Sequence, residues 1–347
     1  MAERETTRRR PRPRTAEGGR RLHSAGAAIV VSLAALGVGL LLNAPGLHKS
    51  ATTQPEGWKR DLALGVTGPL ESISGALLLD QPRRALKAAL GRSEDDEIDT
   101  AVAAPPTTPK PTTPVSTPQK RERFSPQKKL RLWIAGDSLV IIPGESILRE
   151  VAGNRAFEAT DAIDGRLSTG LERPDVFNWF TRVRKVMESE KPRAVVLMFG
   201  GNDFQGYMTG APEGVDVGTF GSPSWREEYR RRVATIMDTI VRRNGFVVWI
   251  GLPISKDAEQ TAKYDVINAI VQSEAAKRKG RAAYLDTYFF FAGEDGGYAQ
   301  YVEDSAGRLV KMRADDGVHF ERAAGDLIAE KVVDALDERY DFTSWRK

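Results

Sequence analysis

The 347 residues are 41% hydrophobic and 28% charged, which supplies a sizeable core, excludes global disorder and leaves room for roughly two domains. The absence of cysteine removes disulfide scaffolds, cysteine nucleophiles and thiolate-held zinc or iron–sulfur centres. Residues 1–23 hold eight Arg and three Glu against a whole-chain charge of +4, so the remainder is one unit negative and no nucleic-acid-binding surface is expected.

Residues 1–23 read as a basic, solvated cytoplasmic tail. From Ala25 to Leu42 the chain carries no charge and is apolar on every helical face. About 18 such residues rise about 27 Å, close to the thickness of a bilayer's hydrocarbon core. The preceding arginines hold that side in the cytoplasm. A cleaved signal peptide has the same outline, but this run exceeds the usual apolar core, and Leu42-Asn43-Ala44 is a poor cleavage site. Residues 24–43 are therefore expected to be a retained signal anchor: a single-pass helix in the cytoplasmic or inner membrane, with the downstream chain extracytoplasmic, on the periplasmic or cell-wall side.

Residues 44–100 read as a membrane-proximal helical spacer, with breaks near Gly68-Pro69 and Gln81-Pro82. Envelope protein partners would dock there. Residues 101–126 interleave Pro with Thr, a composition that tends to polyproline II and packs no core, so they form a linker.

From residue 127 to 347 the pattern becomes regular. Short apolar runs at Leu130–Ala135, Phe157–Ala162, Ala194–Phe199, Phe246–Gly251 and Ala283–Asp286 read as strands. Amphipathic stretches at Pro143–Val151, Pro174–Ser189, Ser224–Arg243, Ala258–Lys279 and Glu321–Glu338 read as helices. The alternation predicts an α/β fold: a central, mostly parallel sheet of about five strands in a three-layer α/β/α arrangement, with ligands at the carboxyl ends of the strands. Tyr298–Met312 reads as a hairpin turning at Ser305-Ala306-Gly307. Trp225, Tyr229 and Arg230–Arg232 read as a helix surface, and the Gly-rich segment 205–226 as a loop shaping a pocket.

Three short motifs fall at the expected strand ends or before the last helix: Gly136-Asp137-Ser138, Gly200-Gly201-Asn202-Asp203 and Asp316-Gly317-Val318-His319. Each alone is ordinary turn chemistry. One sheet edge would gather all three. Of the three histidines, His23 lies in the tail, His48 beside the anchor and only His319 in the folded domain, which disfavours a zinc site. No phosphate-binding P-loop and no dinucleotide-binding glycine fingerprint occurs, and no cofactor or metal is expected.

This ordered set resembles the SGNH, or GDSL-type, hydrolase superfamily over residues 128–342, and within it a little-characterised branch of membrane-anchored periplasmic members. The resemblance implies Ser138 as nucleophile, His319 as base and Asp316 as the carboxylate that orients it. It also implies an oxyanion hole formed by the backbone N–H groups of Ser138 and Gly170 and the amide of Asn202. For Gly170 an ordinary turn glycine is an equally good reading. Asp137 and Asp203 read as loop braces, and Asp315 as the cap of the last helix. A serine hydroxyl needs such a base to become nucleophilic, and an ester's developing oxyanion needs preorganised donors.

The activity implied is that of a serine ester hydrolase removing small acyl groups, acetyl foremost, from an acylated saccharide of the envelope or from an exported polysaccharide. Two alternatives stand beside it: an O-acyltransferase using the same residues, and a non-catalytic envelope binding or scaffold protein.

Overall fold

The computed structural model describes residues 25–52, 58–79, 81, 85, 121–159, 163–211, 215, 217–304 and 306–345. The Arg-rich tail, residues 101–120 of the linker, Pro82 and Ser305 lie outside them.

The first described segment is helical: α1 (Ala25–Leu42), α2 (Ala44–Thr52) and α3 (Trp58–Ala76). In α1 the side chains of Ile29, Val30, Val31, Leu33, Leu36 and Val38 are all more than half exposed. Among the described residues no helix is long and apolar enough to cross a membrane. Over residues 24–43 an 18-residue helix forms, but its rise of about 27 Å falls short of a core of about 30 Å, so the membrane span expected there is not found among the described residues. The break expected at Gly68-Pro69 does not occur, because α3 runs straight through Pro69. Packing against α2 explains its continuity. His48 bonds Thr67 (3.1 Å) and faces Glu71 (3.4 Å).

In the second segment every strand expected from the apolar runs is present: β2 (Leu130–Gly136), β3 (Phe157–Ala159), β5 (Ala194–Met198), β6 (Phe246–Ile250) and β7 (Ala282–Leu285). Residues 160–162, the expected end of β3, lie outside the described residues. A two-residue strand that no apolar run announces, β4 (Asp164–Gly165), pairs with the end of β2. The sheet order is β3-β2-β5-β6-β7 with β4 beside β2, and every pair is parallel. All five residues of β5 and all five of β6 are buried, as expected of strands covered on both faces.

Helices α4 (Ile141–Val151) and α8 (Arg322–Arg339) pack on each other, and α5 (Trp179–Ser189), α6 (Pro223–Val241) and α7 (Ala258–Lys277) pack in series. These are the two helical layers. α5 starts five residues later than its apolar pattern because Asn178 accepts from the Thr181 N–H and caps it there. β1 (Glu122–Arg123) lies within the stretch read as linker. It pairs with β10 (Tyr340–Asp341), so the domain starts before residue 127 and its two ends are tied together. β8 (Tyr301–Glu303) and β9 (Leu309–Lys311) form the expected antiparallel hairpin.

At the carboxyl end of β2, Gly136 sits opposite Met198 of β5. A Cβ there would stand 2.1 Å from the Met198 carbonyl oxygen, a backbone atom that cannot give way. Gly136→Ala should therefore separate the two central strands beside the first motif. We expect a loss of about 3 kcal/mol or more, the upper end of overpacking costs, read as a fall in the urea midpoint.

Candidate active site

Ser138 follows β2 directly and opens a short 3-10 turn, Ser138–Val140, that leads into α4. His319 stands 181 residues later, just before α8, yet its Nε2 lies 2.8 Å from Ser138 Oγ. Its Nδ1 lies 2.7 Å from Asp316 Oδ2. An ionised carboxylate only accepts, so Nδ1 carries the proton and Nε2 is left to accept from the serine hydroxyl. The other Asp316 oxygen, Oδ1, accepts the backbone N–H groups of Val318 (2.8 Å) and His319 (2.9 Å), closing the turn that carries the pair. Partial burial raises the Asp316 carboxyl. The bonds from the His319 ring and from the two N–H groups outweigh it and hold the group at about 2.

The other wall comes from the ends of β4 and β5. Asn202 donates through Nδ2 to the Thr169 carbonyl (3.0 Å), in the peptide that precedes Gly170, and its second Nδ2 hydrogen has no partner among the described residues. Neither the Ser138 nor the Gly170 N–H has a partner among the described residues. Gly170 is required here by space. A Cβ would fall 1.9 Å from Asp203 Oδ1, so the turn reading and the donor reading are two aspects of one position.

Two buried carboxylates register these loops. Asp137 accepts the N–H groups of Leu139 (2.9 Å), Gly200 (3.1 Å) and Gly201 (2.8 Å), tying the end of β2 to the loop after β5. Asp203 accepts those of Leu171 (3.0 Å) and Glu172 (2.9 Å) and the Tyr229 hydroxyl (2.7 Å), tying that same loop to the segment after Gly170. Both are the braces their motif positions suggest. Burial pushes the Asp137 carboxyl up to about 7 against the three N–H bonds that favour its charge, and pushes Asp203 up as well.

Two expectations change. Trp225, Tyr229 and Arg232 form no helix surface; each is at most 1% exposed. Arg232 pairs with Glu228 (2.8 Å) and donates to the carbonyls of Leu171 (2.8 Å), Glu172 (3.0 Å) and Thr209 (2.5 Å), clamping the segment after Gly170 from beneath. The apolar pattern of α6 could not announce this, because an arginine on a helix reads as solvent-facing until its carbonyl partners are known. Asp315 does not cap α8; it pairs with Lys311 (2.8 Å) and accepts from Gln300 (2.9 Å). The helix begins at Glu321 with no side-chain cap.

Glu172 is the group the sequence leaves silent. It is 1% exposed, its Oε1 accepts the Trp225 indole N–H (3.1 Å) and its Oε2 has no partner. Burial, reinforced by the Asp203 charge, pushes its carboxyl up to about 8. With the folded pKa above the unfolded one, the native state keeps a proton that the unfolded chain releases, so stability falls as pH rises from about 4.5 to about 8. Glu172→Gln removes this titration. The difference in melting temperature between the variant and the parent should shift in the variant's favour from pH 5 to pH 9, and a pH-independent difference would contradict the assignment.

With Ser138, Gly170, Asn202 and His319 gathered at one sheet edge, the resemblance to SGNH hydrolases read from the motifs extends to their placement in the fold. Among solved structures, the chain is similar to an esterase, EstA, from Pseudoalteromonas sp. (11% identity, 60% of this chain and 98% of that one, TM-score 0.41). It is similar to a catalytic mutant of Axe2, an acetylxylan esterase from Geobacillus stearothermophilus (14% identity, 61% and 95%, TM-score 0.40). A third is LAE5, an alpha/beta hydrolase enzyme from the metagenome of Lake Arreo, Spain (17% identity, 61% and 96%, TM-score 0.42). No curated protein matches the sequence. The family described as a protein of unknown function, DUF459, matches residues 131–335, more than half of the chain, and the chain belongs to that family.

Proposed function

We propose that the protein is a membrane-attached, extracytoplasmic serine esterase that removes small acyl groups, acetyl foremost, from envelope or exported polysaccharide. The observation that carries this reading is the continuous relay from Ser138 Oγ through the His319 ring to Asp316, at 2.8 and 2.7 Å, beside N–H donors without partners. His319 takes the serine proton as Oγ attacks the ester carbon. Asp316, ionised down to about pH 2, holds the ring's tautomer and balances the imidazolium. The oxyanion develops between the N–H groups of Ser138 and Gly170 and the free hydrogen of Asn202 Nδ2. The imidazolium then returns its proton to the leaving alcohol, and water, activated by the same ring, releases the acyl group from the serine.

Exposure favours hydrolysis over transfer to another hydroxyl. The His319 and Asp316 side chains are 41% and 50% exposed, and acyl transfer to a sugar requires a site that keeps water out. The same openness suits a small ester carried on a large polymer. Attachment to the membrane falls to α1, most of whose large apolar side chains are left exposed by the described residues. A helix slightly shorter than the hydrocarbon core is accommodated by local thinning of the bilayer.

The test is p-nitrophenyl acetate hydrolysis by the full chain in detergent. Ser138→Ala should abolish turnover, and a parent protein as inactive as this variant, with both folded, would refute the esterase. Asn202→Ala should lower kcat by a factor of about 100–1,000 with KM little changed, the cost of about 2.7–4 kcal/mol for one oxyanion donor. Asp316→Asn should lower kcat by up to about 10,000-fold, because the ring loses the partner that fixes its tautomer. Exogenous oligosaccharide acceptors should not accelerate acyl release; if they do, transfer replaces hydrolysis as the reaction.

A further inference from the structure

Arg313 lies between β9 and the turn that carries Asp316 and His319, and its side chain is 0% exposed. Among the described residues no carboxylate stands within ion-pair distance of it. Its fork is filled by main-chain carbonyls. Nη1 donates to Ile254 (2.5 Å), Nη2 to Val318 (2.6 Å) and Gly317 (3.3 Å), and Nε to His319 (3.4 Å). Three aromatic rings, Phe291, Tyr298 and Phe320, stand 5.2–5.9 Å from the guanidinium carbon. Burying a cation without an anion is costly, and a fold keeps one only where the groups around it are fully engaged.

The engaged groups belong to one object. At the base of the turn, Arg313 bridges Phe320, and the Ala314 N–H donates to the His319 carbonyl (2.9 Å). From outside, the Lys256 N–H donates to the Gly317 carbonyl (3.1 Å). Inside, the guanidinium collects the carbonyls of residues 317, 318 and 319 and fastens them to Ile254, in the loop after β6. Ser138 is separated from the end of β2 by one residue, whereas the Asp316–His319 turn meets the sheet edge across such contacts and the bond to Ser138.

The geometry points to Arg313 as a positioning residue that holds the His319 imidazole in reach of Ser138 by clamping its turn to the end of β6. It touches no reacting atom. A planar fork with several fixed donors can hold these carbonyls at once, and a lysine's single ammonium cannot. Misplacing a catalytic group by about 1 Å costs about 100-fold in rate. The consequence for rate rests on the esterase reading, but the positional claim does not.

The experiment uses the full chain in detergent micelles and two variants, Arg313→Met and Arg313→Lys, with His319→Gln to assign the ring signal. Proton NMR should find a strongly downfield Nδ1–H of His319 in the parent protein, the mark of its bond to Asp316. In Arg313→Met this signal should vanish while the melting transition stays cooperative, and kcat should drop about 100-fold at unchanged KM. Arg313→Lys should recover part of both, and it carries the test if the Met variant does not fold. A downfield proton that persists in both variants overturns the inference, as does its absence from the parent. If the parent has the signal, the variants lose it and none hydrolyses ester, the positioning role stands and the esterase reading falls.

Discussion

The site closes on a carboxylate that does no chemistry. Asp137 is wholly buried, and its two oxygens accept N–H groups from both central strand ends, Leu139 on one side and Gly200 and Gly201 on the other. A parallel sheet delivers its loops to one edge, but backbone pairing stops where the strands stop, so nothing in the sheet sets one loop's height against the next. A buried acceptor shared by both loops supplies that setting. Asp203 repeats the device one loop further, to the segment carrying Gly170. The distance from Ser138 to the oxyanion donors is thus fixed by two anions placed where solvent cannot compete for their bonds.

Buried anions need compensation, and the fold supplies it from backbone dipoles more than from countercharges. Asp137 has three N–H groups, and Asp203 has two together with the Tyr229 hydroxyl. The cationic side mirrors this. Arg232 and Arg313, both fully buried, spend most of their donors on carbonyls, and of the two only Arg232 has a carboxylate partner, Glu228. One clamps the segment after the oxyanion glycine, the other the turn that carries the base. Main chain is the target in each case because main chain is what carries the donors and the turn.

Much of this was legible in the sequence, and the part that was not has a common cause. Runs such as Ala194–Met198 are apolar throughout because both faces are covered, so the strands followed from hydrophobic pattern alone. The motif residues were legible because Ser138, Asn202 and His319 are few, polar and placed at strand ends or just before the last helix. Pattern fails where a residue's environment is set by partners distant in the chain. Arg232 reads as solvent-facing until Leu171, Glu172 and Thr209 surround it, and Pro69 reads as a break until α2 covers that side of α3. β4, two residues long, has too few positions to show any period, although it leads into the loop that bears Gly170. Asp315 reads as a cap because it precedes the last helix, but Lys311, four residues before it, takes its carboxylate instead.

The two halves of the site differ in how they meet water, and that difference bears on the reaction. On the donor side Gly170 and Asp203 are buried, Ser138 and Asn202 are partly exposed, and the segment after Gly170 is locked from below by Arg232. There an oxyanion finds dipoles that need no reorganisation. The base side is wet, with the His319 and Asp316 side chains about half exposed. In the proposed esterase, water would reach the imidazole while an acyl group sat on Ser138, and the ring, having returned its proton to the leaving alcohol, would take the next one from water. An enzyme that passed acyl groups to sugars would need the reverse, a base shielded until the acceptor arrives. The open base, held in place from underneath by a buried arginine rather than enclosed from above, fits the hydrolysis proposed for this site better than acyl transfer.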